Sequence, residues 1–105
     1  MHRYLVFLLL ALACNQQDDA EKLQKSIVSW RATLQLVADA RLKNEVREGF
    51  ALKTIEAAVE DLEGQSAKVS SKPAERLIAV AADLRQAIER DDSVAIAKAR
   101  GELAR

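Results

Sequence analysis

Gly64-Gln65-Ser66-Ala67-Lys68-Val69-Ser70-Ser71-Lys72-Pro73 is the stretch that decides the fold of this chain. Apolar residues recur at helical spacing on both sides of it. Within it the pattern stops. Gly64 suits the position just past a helix end, where a left-handed backbone costs glycine little. Gln65 to Lys72 reads as a polar loop, and Pro73, preceded by Ser71 or Lys72, suits the first turn of a new helix. One long helical rod cannot run through such a segment, so the chain reads as two helical hairpins joined by a loop.

Upstream of the loop, Leu23, Ile27, Trp30, Leu34 and Val37 follow at spacings of four, three, four and three. That is one face of a helix over residues 18–43. Val28, Leu36 and Leu42 are expected to widen the face, Asp18 or Asp19 to cap it, and Glu21 to complement the dipole near its start. Lys43 to Val46 is the expected turn, with Gly49 close by. A helix continuous to Leu62 is the alternative, but it would leave long apolar faces exposed. The second helix is expected from Val46 or Arg47 to Glu63, with Leu52, Ile55, Val59 and Leu62 inward, Ala51 and Ala58 alongside, and Phe50 plugging the turn.

Downstream, Leu77, Ala81, Leu84 and Ile88 mark a third helix ending near Arg90. Arg90 to Ser93 is a tight turn, with Asp92 or Ser93 as the next cap. A fourth helix spans about residues 93–103 with Val94, Ile96, Ala97 and Leu103 apolar, and Arg100 and Arg105 suit its negative end. No strand-like alternation of useful length occurs. The fold class expected is all-α, a small antiparallel helical bundle of about four helices in two hairpins.

The first fourteen residues obey a different rule. His2 and Arg3 are followed by the apolar run Tyr4-Leu5-Val6-Phe7-Leu8-Leu9-Leu10-Ala11-Leu12-Ala13, then by Cys14 and the polar Asn15-Gln16-Gln17-Asp18-Asp19. A basic start, a short apolar stretch and small residues before a cleavage point form an export signal. The run is shorter than the roughly 20 apolar residues a membrane-spanning helix needs. At Leu10-Ala11-Leu12-Ala13-Cys14 the chain resembles bacterial lipoproteins, whose signals end in a lipobox closed by cysteine. Ala13 and Cys14 match, while Ala11 stands where leucine is commonest. The resemblance implies cleavage between Ala13 and Cys14 and attachment of fatty-acyl chains, palmitate among them, at Cys14. It divides the chain into a signal peptide at 1–13, a lipidated cysteine and polar tether at 14–19, and a helical bundle domain at 20–105. In enterobacterial lipoproteins an Asp directly after the cysteine favours inner-membrane retention. Asn15 therefore implies the outer membrane, facing the periplasm.

Composition narrows the chemistry. Cys14 is the single cysteine, so no intramolecular disulfide can form. The single histidine, His2, leaves with the signal. That removes Cys–His and Ser–His nucleophilic sites and most zinc sites. Sixteen basic and sixteen acidic side chains balance, and loss of Arg3 makes the mature chain −1. Nothing there suggests a nucleic-acid partner, which needs a concentrated basic face.

The carboxylates offer the remaining candidate site. Glu56, Glu60 and Glu63 share one helix face at spacings of four and three. They could hold a divalent cation or meet a basic partner, although a solvated surface is the commoner meaning of such a stripe. Trp30 lies in register with the core, and Arg41 continues the same seam at its wet end. Arg41, Lys43 and Arg47 cluster at the first turn, diluted by Glu45 and Glu48. No catalytic residue, cofactor or metal is expected. The expected role is a non-enzymatic interaction or structural module of the cell envelope, with the membrane and an envelope protein as partners. Two rival readings are a self-associating coiled-coil envelope protein, a homo-oligomer, and a ligand- or metal-binding bundle using the acidic face.

Overall fold

A computed structural model of the chain describes the backbone from His2 and the side chains from Asp18 to Arg105. Four helices follow one another: α1 (His2–Leu42), α2 (Glu48–Ser66), α3 (Lys72–Glu89) and α4 (Ser93–Leu103). They form an antiparallel bundle over residues 18–103. α2 and α4 each pack against both α1 and α3, α1 and α3 also meet across the centre, and α2 and α4 do not touch.

The core follows the expected stripes with one systematic shift towards small residues. α1 buries Leu23, Ile27, Leu34, Val37 and Ala38; α2 buries Ala51, Ile55, Ala58 and Leu62. Leu52 and Val59 only flank that stripe. α3 contributes Ala74, Leu77, Ala81, Leu84, Ala87 and Ile88, and α4 contributes Ile96, Ala99 and Leu103. The alanines let the helix backbones approach closely. No polar or charged side chain is buried among the described residues, so the core is dry and non-directional apolar burial holds it. Every buried core side chain described lies between Leu23 and Leu103, so residues 15–105 carry all of them.

Several expected apolar contacts are absent. Val28 and Leu36 are 66% and 70% exposed, and Leu42 is also exposed. Leu36 is two residues from Leu34, about 200° around the helix, so it points away when Leu34 points in. Phe50 does not plug the first turn: it is exposed, and Val46 packs there instead. Val94 and Ala97 likewise face outward.

The helix ends also differ from expectation. Asp18 and Asp19 lie inside α1 and cap nothing. Gly64 lies inside α2, which continues to Ser66, and no glycine has a positive φ. The left-handed positions are Asn44, with φ 60°, and Asp91, with φ 53°. Each closes a helix in the same way. The amides of Asn44 and Glu45 donate to the carbonyls of Arg41 and Ala40, at 3.1 and 2.8 Å. The amides of Asp91 and Asp92 donate to those of Ile88 and Ala87, at 3.1 and 3.0 Å. This paired pattern satisfies carbonyls the helix end would leave bare, and Asn and Asp tolerate the conformation better than other residues bearing a Cβ.

The starts of α3 and α4 are as expected. Ser71 caps α3 by accepting from the Ala74 amide at 3.3 Å, with Pro73 in the first turn. Asp92 caps α4 by accepting from the Ala95 amide at 3.2 Å.

Candidate functional site

The acidic stripe of α2 separates into two parts. The Glu56 carboxylate meets Arg85 at 2.9 Å, and the same guanidinium pairs with Glu89 at 3.0 Å. Glu56 is thereby engaged in fastening α2 to α3. Glu60 and Glu63 stay exposed on the surface. Among the described residues no group of three or more His, Cys, Asp or Glu side chains converges as a metal ion would need.

Trp30 sits at the α1–α2 seam, half-buried against the core. Its indole N–H donates to Asp61 Oδ2 at 2.8 Å. Gln65 joins the same group, donating from Nε2 to Asp61 Oδ2 at 3.1 Å and to Ser26 Oγ at 2.7 Å. Trp30 therefore has a polar partner for its one donor, as partly buried tryptophans usually do. Its geometry is that of a seam residue, with its ring between two helices.

The basic group at the first turn does not stand as one cluster. Arg41 folds inward, with its side chain 13% exposed. Its Nη1 donates to Asn44 Oδ1 and to the Val46 carbonyl, both at 3.2 Å, and its Nη2 meets Asp91 at 3.5 Å. It ties the α1–α2 turn to the α3–α4 turn at the same end of the bundle. Lys43 and Arg47 remain outside. The sequence placed Arg41 correctly on the seam but gave no sign of this bridging role, because its partners lie three, five and fifty residues away.

Two further polar contacts were not foreseen. Arg100 pairs with Asp39, Nε to Oδ1 at 2.9 Å and Nη2 to Oδ2 at 3.4 Å. Gln35 Nε2 donates to the Leu103 carbonyl at 2.8 Å. Both hold α4 to the upper half of α1. Fork-like Arg–carboxylate pairs are directional, so this one fixes the register of α4 as well as its position.

Among the surface grooves of the described residues, three stand out. One lies between α3 and α4, with mixed charges from Asp83, Arg90, Asp92 and Lys98. A second lies near the loop end of α1 and α2, with Lys22, Lys25 and Lys68 on its walls and Asp19 among them. The third, of about 400 Å³, is the least polar and lies between α1 and the α2–α3 loop. Leu23, Ile27, Val28, Val69 and Pro73 line it, with Arg31 at its wall.

Ala13 and Cys14, the expected cleavage and lipidation residues, lie outside the described residues. Among those described, no helix is long and apolar enough to cross a membrane. Comparison with protein-family models, with curated proteins and with solved structures found no match.

Proposed function

We propose that this chain is a bacterial lipoprotein whose helical bundle is a non-enzymatic interaction module held at the cell envelope, in the outer membrane facing the periplasm. The observation that carries the proposal is Cys14. It is the single cysteine, it stands directly behind an apolar run with a basic start, and a polar segment follows at once. An intramolecular disulfide is excluded by count, and the run before it is too short to span a bilayer. Attachment of lipid is the role that the resemblance to lipoprotein signals implies for a cysteine so placed. Several acyl chains together give stable anchoring, since each buried methylene contributes about 0.8 kcal/mol and one chain alone is marginal.

Function then follows from confinement. Cleavage at Cys14 leaves only Asn15 to Gln17 between the lipid and the bundle, which begins at residue 18. Such a tether raises the effective concentration of the bundle towards neighbours on the same membrane. The mature chain has no histidine and no free thiol once Cys14 is acylated, and its carboxylates do not converge among the described residues. These features favour recognition over chemistry.

The test is fractionation. In a bacterial host, the chain with a tag at Arg105 is expected in the outer-membrane fraction, and the Cys14→Ser variant outside it. Equal partitioning of the two proteins would remove the anchor from the proposal. Partners co-purified with the wild type and lost with the variant would support the confinement argument.

A further inference from the structure

α4 is too short for the seam it occupies. It has 11 residues, about 16 Å of helix, whereas α3 has 18, about 27 Å. Its end is fixed where Gln35 binds the Leu103 carbonyl. Below that point the track between α1 and α3 continues for about two turns with no helix in it, until Val69 to Ser71 of the α2–α3 loop close its lower end. The side chains along it can be read from those that face α4 above. Gln35 on α1 and Asp83 and Ala87 on α3 face α4. Val28, Arg76 and Val80 lie seven residues before them, two turns lower on the same sides.

This open track is apolar at its base and basic at its rims. Val28 is 66% exposed there, Pro73 lines the groove beside it, and Val80 packs half-buried against the core. Arg31 lines the groove on the α1 side, and helical spacing puts the exposed Arg76, seven residues before Asp83, on the α3 side. Among the described residues neither has a carboxylate within ion-pair distance. The acids nearest by position on these helix sides, Asp83 and Glu102, lie together at the upper end of the track beside α4.

We infer that the track below α4 is the docking site for a short amphipathic helix of a partner protein, with an apolar stripe and acidic flanks. A helix fits because one already fills the upper half of the same seam, inserting Ile96, Ala99 and Leu103. A two- to three-turn segment with the same three–four spacing continues that packing, as helix-in-groove recognition does elsewhere. Acidic flanks follow from the two unpaired arginines, which would repel a basic segment and steer an acidic one. The inference rests on the reading of the bundle as an interaction module, and it does not depend on the lipid at Cys14.

The experiment uses residues 15–105 with Val28→Cys, which becomes the only thiol. The probe is a synthetic helical peptide with leucines at the spacing of Ile96, Ala99 and Leu103 and glutamates on its flanks. Its counterpart carries lysines in place of the glutamates. The rate of maleimide labelling at residue 28 reports cover of the track. The acidic peptide is expected to slow labelling saturably, at a concentration at least about tenfold below that needed for its counterpart. Arg31→Glu with Arg76→Glu is expected to reverse the preference, and circular dichroism confirms that each variant keeps its helices. Three results overturn the inference. Protection indifferent to peptide charge, or absent, removes the acidic helix. Labelling that slows with protein concentration alone makes the occupant a second copy. Protection by anionic phospholipid vesicles and not by peptide makes it a membrane surface. None of these outcomes bears on whether Cys14 is acylated, which membrane fractionation reads separately.

Discussion

α2 and α4 occupy equivalent places, each flanking the α1–α3 pair, yet they are held differently. α2 is 19 residues long and covers most of its seam, leaving a groove only near its loop end. It buries four side chains and is fastened at both edges, to α1 through Trp30, Asp61, Gln65 and Ser26, and to α3 through Glu56 and Arg85. α4 is 11 residues long and buries three side chains. Its described polar fastenings to α1 are Gln35 with Leu103 and Asp39 with Arg100. Length is what separates the two. The longer helix covers more of its seam, and the shorter leaves more of the same kind of wall open.

The largest effects should separate the two walls. Leu62→Ala, on the longer helix, is expected to cost about 3–4 kcal/mol, and Leu103→Ala, at the open end of α4, about 2–3 kcal/mol. Both side chains are essentially inaccessible, but the site around Leu103 has room to relax. Urea unfolding of the two variants measures the difference; a larger loss for Leu103→Ala would mean that α4 is the tighter wall.

Next come the polar fastenings. Trp30→Phe keeps the ring but removes the donor to Asp61, with an expected loss of about 1 kcal/mol. Arg100→Ala should cost about 0.5–1 kcal/mol, because both partners are partly exposed and water screens the pair. Hydrogen exchange should show the second loss confined to α4 and the first spread over α1 and α2. A uniform response to Arg100→Ala would mean that α4 does not open separately.

The smallest expected change is a gain. Gly64 lies inside α2, and a Cβ there would meet nothing within 4 Å. Gly64→Ala should therefore raise stability by about 0.5–1 kcal/mol, read as an increase in Tm. A decrease would contradict the helical conformation at Gly64 and restore it as a helix end.

Much of the fold was legible in the sequence because burial imposes a period. The stripe Leu77-Ala81-Leu84-Ile88 is buried throughout, and so is Leu23-Ile27-Trp30-Leu34-Val37 except for the half-buried Trp30. The turn after Leu42, the loop before Lys72 and Pro73 in the first turn of α3 fell where local chemistry placed them, and of Asp92 and Ser93 it is Asp92 that caps α4. The misreadings have physical causes. Apolarity alone does not say which way a side chain points, so Val28, Leu36 and Phe50 were assigned inward. Gly64 looked like a helix end, but Leu62 and Gln65 on either side both gain partners if the helix continues. The left-handed positions went to Asn44 and Asp91, whose signal is weaker than a glycine's.

The candidate site was less legible. The acidic stripe was found as a pattern, but nothing in it showed that Glu56 would face Arg85, twenty-nine residues away. The open track is a difference in helix length combined with two unpaired arginines. It becomes visible only when α1, α3 and α4 are placed side by side.

The account turns on what Cys14 carries, and the intact mass of the protein extracted from bacterial membranes reads that directly. The predicted result is a chain beginning at Cys14 with the added mass of acyl chains, lost in Cys14→Ser. A signal-cleaved chain with an unmodified Cys14 would contradict it.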